Sequence, residues 1–154
     1  MLTLLVIPFL VQAAAIIFDE WVFHLKRGLP KWERIGHPID TASVLICFVF
    51  VLIFPYSPAA LKWYIGLAAA SCLLVTKDEF VHKHHCPAAE HWVHALLFLN
   101  HPIQLIALGY VWSLEILRWA LWLQVGFVSL FCLYQIVYWN FIWEEPSTTT
   151  STKN

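Results

Sequence analysis

Residues 2–24 read LTLLVIPFLVQAAAIIFDEWVFH, and the way this stretch ends decides the fold. It is apolar through Phe18 and then delivers Asp19, Glu20 and His24 at its far end. About 20 mostly apolar residues cross a bilayer as a helix. No basic residue precedes the apolar run and no small-residue cleavage site follows it, so it reads as a retained first span, not a cleaved leader.

The rest of the chain repeats the pattern. Hydrophobic residues make up 60% and charged residues 12% of 154 positions, with a mean hydropathy of +0.69. A soluble domain carries about twice that charge fraction. Further spans are expected at 38–56, 59–82, 90–112 and 116–142, with short links such as Pro55-Tyr56-Ser57-Pro58 and Ser113-Leu114-Glu115. The expected architecture is an all-α, polytopic membrane bundle of about five transmembrane helices over residues 1–145, with hairpins at 1–56 and 59–112. The Ser/Thr-rich stretch 146–154 is expected to be a disordered tail. A net charge of −1 gives no sign of a nucleic-acid partner. Cys47, Cys72 and Cys132 lie in apolar runs and read as small hydrophobes, and no disulfide framework is evident.

Basic residues set an expected orientation. Lys26, Arg27, Lys31 and Arg34 follow the first span, and Lys77 and Lys83 follow the third, against Lys62 and Arg118 at the opposite ends. The positive-inside bias places the former links in the cytoplasm, with the N-terminus outside and the C-terminus inside.

The ionisable residues gather at those same links. All eight histidines fall in two windows, His24 and His37 in one, and His82, His84, His85, His91, His94 and His101 in the other. Seven of ten carboxylates join them: Asp19, Glu20, Glu33, Asp40, Asp78, Glu79 and Glu90. Such groups cost a few kcal/mol each inside a bilayer and are rare there unless paired or functional. Helical spacing lines them up. Glu20 and His24 are four apart, as are Glu33 and His37, while His37 and Asp40 are three apart. Asp78, His82 and His85 form one row with Glu79 three before His82, and Glu90, His94 and His101 fall within about 40° of one another on a helix.

The two windows resemble copies. Asp19-Glu20-Trp21-Val22 is echoed by Asp78-Glu79-Phe80-Val81, and Pro30-x-x-Glu33-x-x-x-His37 by Pro87-x-x-Glu90-x-x-x-His94. His37-Pro38-Ile39 reappears as His101-Pro102-Ile103, seven residues late. Two pseudo-repeated hairpins pointing the same way would place two carboxylate/histidine sets face to face, as in two-metal helical bundles.

Nitrogen and oxygen ligands without thiolate suit iron, with manganese or zinc as alternatives. The expected ligands of two metal ions are drawn from Glu20, His24, Glu33, His37, Asp40, Asp78, Glu79, His82, His85, Glu90, His94 and His101, with Asp19 and His91 behind them. Asp19 and Glu33 have Arg27, Lys31 and Arg34 as alternative partners, and Asp40 could be a buried hydrogen-bonding group.

The His82-Lys83-His84-His85 run resembles the histidine boxes of the membrane di-iron desaturases, hydroxylases and alkane monooxygenases, and Glu79-x-x-His82 is similar to the Glu-x-x-His of ferritin-like di-iron bundles. That resemblance implies a dimetal, oxygen-using oxidoreductase. A membrane location implies a lipid-soluble reactant such as a lipid, isoprenoid, carotenoid or quinone, and redox chemistry implies an electron-donor protein. A metal-dependent lipid hydrolase or isomerase would need the same ligands. A haem protein would show fewer carboxylates, and an ion pathway would need polar residues through the whole membrane depth.

Overall fold

The computed structural model describes residues 2–77 and 87–144. Its described part is helical, and five helices are long and apolar enough to cross a membrane. Helix α1, Leu2–Asp19, runs on through a π turn, Glu20–His24, and a last turn, Leu25–Arg27. α2 is Lys31–Ile53, α3 Pro58–Thr76, α4 Ala88–Ser113, and α5 Arg118–Val137, which ends in a second π turn, Tyr138–Ile142. The five apolar helices expected from hydropathy are therefore present. α2 begins at Lys31, well before the apolar run at 38, because the polar window 31–37 continues the helix and turns its acid and imidazole inward. The tail at 146–154 lies outside the described residues, as do Asp78, Glu79, His82, His84, His85 and Cys86.

Local chemistry sets the helix ends. α1 stops at Gly28, whose φ of +77° is open to glycine at little cost. Pro30 then opens α2 from an extended conformation. Ser57 caps α3 by accepting from the Ala60 amide at 3.1 Å, with Pro58 in the first turn.

α1 packs along α4, α5 packs along α2, and α3 lies against both α2 and α4. α1 and α5 share no extended packing face. Hydrogen bonds between helices supplement packing where lipid supplies no hydrophobic drive, at about 0.6 kcal/mol each. Asn100 ties α4 to α1 by donating to Pro8 O and Gln12 Oε1, both at 2.8 Å. Thr41 donates to Gln135 Oε1 at 2.7 Å between α2 and α5. Tyr64 on α3 donates to the Leu105 carbonyl at 2.5 Å, over Gly109. A Cβ at Gly109 would meet the Tyr64 ring at 2.9 Å, so the close approach of α3 and α4 needs glycine there.

The apolar core sits toward one end of the bundle, with Phe48, Val51, Leu105, Leu108, Val111 and Trp112 at its centre. Large apolar side chains such as Trp63, Leu73, Ile106, Phe127 and Phe141 are exposed on the outside, the pattern of a lipid-facing surface. The buried ionisable residues occupy the other end, where α1 finishes and α2 and α4 begin.

Candidate metal centre

Asp19, His24, Glu90 and His94 are all buried, and each offers one ligand atom to a cluster within 4.8 Å. His24 Nε2 lies 3.2 Å from Asp19 Oδ2 and 3.6 Å from Glu90 Oε1. His94 Nε2 lies 3.3 Å from Asp19 Oδ2, within hydrogen-bond reach, and 4.0 Å from Glu90 Oε1. Ligands held at about 2.0–2.2 Å from one ion stand roughly 3–4 Å from each other. The donor spacing is therefore compatible both with a hydrogen-bonded cluster and with a single bound ion. A second group, His24, Glu33 and His37, shares His24 with the first.

The π turn explains the membership. Its bonds run from residue i to i+5, as from the Leu25 amide to Glu20 O, so residues five apart fall on one side. Asp19 and His24 are five apart and converge. Glu20 stands behind His24 instead: its Oε2 accepts from His24 Nδ1 at 3.1 Å, while its Oε1 accepts from Tyr134 Oη at 2.6 Å and Trp139 Nε1 at 3.0 Å. Asp19, expected behind the ligands, thus stands in the group that could hold an ion, and Glu20, expected as a ligand, bonds His24 from outside that group, because 3.6-residue spacing holds for an α-helix and the chain here is wider.

A deprotonated Glu20 only accepts, so the Nδ1 proton is on His24 and the ring is turned with its Nε2 toward Asp19 and Glu90. Among the described residues that Nε2 makes no hydrogen bond, although two carboxylate oxygens lie within 3.6 Å of it. Asp19 Oδ1 and Glu90 Oε2 are likewise buried without a hydrogen bond among the described residues. A neutral ring puts a lone pair there, which a cation among the carboxylates would relieve, and a protonated ring puts an N–H there, which pairs with them. The four residues together form a group that could hold a metal ion.

Charge gathers at the same place. Asp19, Glu20, Glu33 and Glu90 are all buried, and among the described residues Arg27 is the one permanent cation in contact with them. Its Nη2 donates to Glu33 Oε2 at 2.9 Å and to Glu90 Oε1 at 2.8 Å. Burying charge without compensation costs several kcal/mol per ion. Beside that guanidinium, His24 and His94 lie within ion-pair distance of Asp19 and Glu90.

The remaining expected ligands stand elsewhere. Asp40 accepts from Lys77 Nζ at 2.6 Å and belongs to neither group. His101 lies deeper on α4, with Nε2 3.0 Å from Ser71 Oγ. His91 is half-buried and outside both groups. Asp78, Glu79, His82 and His85 fall outside the described residues. The contact of Arg27 with Glu33 was among the pairings open in the sequence, whereas its bond to Glu90 spans 63 residues and left no local signal.

A cavity of about 510 Å³ opens from the cluster and runs between α1, α2, α4 and α5. Asp19, His24 and His94 close one end, and Phe48, Phe98 and Phe131 are among its apolar walls. Ile17 of α1 and Phe127 of α5 line it and are also exposed, which marks a lateral opening where α1 and α5 part. Pockets of roughly 300–1,000 Å³ hold small organic ligands. No family model, curated protein or solved structure matches the chain.

Proposed function

We propose that the protein is a membrane-embedded metal enzyme, an oxidoreductase that works on a lipid-soluble molecule held in the cavity beside Asp19, His24, Glu90 and His94. The observation that carries this reading is the convergence of donor atoms from Asp19, His24, Glu90 and His94 within 4.8 Å at the head of an apolar cavity. Imidazole and carboxylate donors without thiolate suit iron above the softer metals. The bound ion would supply redox or Lewis-acid chemistry. The chain's own residues do the rest. Glu20 orients His24, Arg27 holds Glu33 and Glu90 in place, and the phenylalanine walls exclude water and align a hydrocarbon.

Two ions extend the same reading. Glu33 and His37 stand as counterparts of Glu90 and His94 in the repeated Pro-x-x-Glu-x-x-x-His motif. Arg27 bridges the two glutamates, and the His24 ring lies 5.0 Å from that of His37 and 6.4 Å from that of His94. Pairing of α1 with α4 and of α3 with α2 is the pattern that a pseudo-twofold relation of the hairpins gives, while α3 packs on α4 more closely than α1 packs on α2. A second ion needs ligands beyond Glu33 and His37, and the sequence offers Asp78, Glu79, His82 and His85. Lys26, Lys31 and Arg34 at this end favour the cytoplasmic side for the site, where a soluble electron donor would dock.

Elemental analysis of protein purified without added metal tests the proposal. One or two irons per chain, lost on His24→Ala or His94→Ala, is the expected result. Stoichiometric zinc would move the reading to a hydrolase or isomerase of lipids, and less than a tenth of any metal would refute the metal site.

A further inference from the structure

The cavity has a second polar end. Gln104 lies ten residues along α4 from His94, about 15 Å further along the helix axis, and both line the cavity. It is 3% exposed and lines the cavity, and its Oε1 is buried with no hydrogen-bond partner among the described residues. Gln12 and Gln135 line the same cavity, but each of their oxygens accepts from a neighbour, Asn100 and Thr41 respectively. An unmet carboxamide at that depth costs free energy that a ligand can recover.

His101, three residues before Gln104, adds a second group on the same helix face. Its tautomer follows from a chain of donors. Ser43 Oγ donates its only hydrogen to the Asp40 carbonyl at 2.7 Å. With Ser43 holding that bond, Ser71 donates to Ser43, at 2.8 Å, and His101 Nε2–H donates to Ser71, at 3.0 Å. In the neutral ring the lone pair is then on Nδ1.

We propose that Gln104 and His101 form a recognition site for a hydroxyl group at the far end of the substrate, so that the molecule worked on at the cluster is a hydroxylated hydrocarbon and not a bare acyl or alkyl chain. A hydroxyl donates and accepts, so it meets the Gln104 carboxamide with either its oxygen or its amine turned inward, and it can donate to His101 Nδ1. The separation of about 15 Å between the two ends sets the distance from the hydroxyl to the reacting carbon. The site is selective in the direction hydrogen-bonding pockets are: a ligand lacking the hydroxyl leaves buried polar atoms unmet. This inference rests on the cavity being the substrate site proposed above.

Photo-crosslinking tests it. The full-length protein in detergent is labelled with a long-chain primary alcohol carrying a mid-chain diazirine, and dodecan-1-ol or dodecane is added as competitor at matched mole fraction in the micelle. The alcohol should block labelling at about a tenfold lower mole fraction than the alkane. Gln104→Met, which keeps the side-chain length, should erase that difference, and Gln104→Glu, a donor and acceptor when protonated, should retain it. Equal competition by alcohol and alkane on the wild type would overturn the proposal and assign Gln104 to a buried water; that comparison decides even where a variant does not fold. A preference unchanged in Gln104→Met overturns it equally. Metal content is measured on the same samples. An alcohol preference kept in metal-free His24→Ala protein supports the hydroxyl site irrespective of the metal reading, which fails separately if the wild type carries no metal.

Discussion

Replacing Glu20 by glutamine changes one atom and should cost most of the metal affinity. Glu20 Oε1 is claimed by Tyr134 Oη at 2.6 Å and Trp139 Nε1 at 3.0 Å, and Oε2 by His24 Nδ1 at 3.1 Å. A carboxamide has one oxygen. With two donors holding it at the Tyr134 side, its NH2 group faces His24 Nδ1, which must then accept. The ring proton moves to Nε2 and points at Asp19 Oδ2, 3.2 Å away, where the metal would need a lone pair. Turning the carboxamide round would instead strand the Tyr134 and Trp139 donors, at about 1–3 kcal/mol for each buried group left unmet. Loss of an orienting partner of this kind weakens metal binding about 10- to 100-fold, or roughly 1.4–2.8 kcal/mol. The assay is competition for the ion against a chromophoric chelator, on wild type and Glu20→Gln. Adding Tyr134→Phe to Glu20→Gln removes one of the two donors and should recover part of the loss. Affinity in Glu20→Gln within twofold of wild type would refute the assignment of Glu20 as the group that sets the His24 tautomer.

Arg27→Met should destabilise the metal-free protein by about 3–5 kcal/mol, since it strips a buried pair of its cation; thermal unfolding should recover much of the drop when a divalent ion is added. Gly109→Ala should cost about 1–3 kcal/mol, because the new Cβ meets the Tyr64 ring at 2.9 Å. Its Tm should fall by several degrees with metal content unchanged, which separates packing from the site. Lys77→Met should leave metal content intact, because its partner Asp40 lies outside both ligand groups; metal loss in that variant would place Asp40 among the ligands.

Much of this was legible in the sequence, and the remainder fails for identifiable reasons. Five spans follow from hydropathy because lipid admits little besides closed helical backbone. The carboxylate and histidine windows were visible because such groups are costly in a membrane, and His24, Glu33, His37, Glu90 and His94 do come together. The exchange of Asp19 and Glu20 was hidden because the π turn at Glu20–His24 departs from 3.6-residue spacing and carries no compositional mark. Arg27 on Glu90 and Lys77 on Asp40 join residues far apart in sequence, so only the packing of α1 on α4 and α3 on α2 reveals them. His101 looked like a deeper ligand on its helical row, yet it bonds to Ser71 on α3, which in turn bonds to Ser43 on α2. The cavity follows from α1 and α5 parting, which no single helix encodes.

X-ray absorption at the metal edge, on protein purified with its native metal, tests the centre most directly. The account predicts a nitrogen/oxygen shell at about 2.0–2.2 Å with the outer scattering of two imidazoles, reduced to one in either His24→Ala or His94→Ala. A sulfur shell at about 2.3 Å, or a spectrum without imidazole that neither substitution alters, would contradict it.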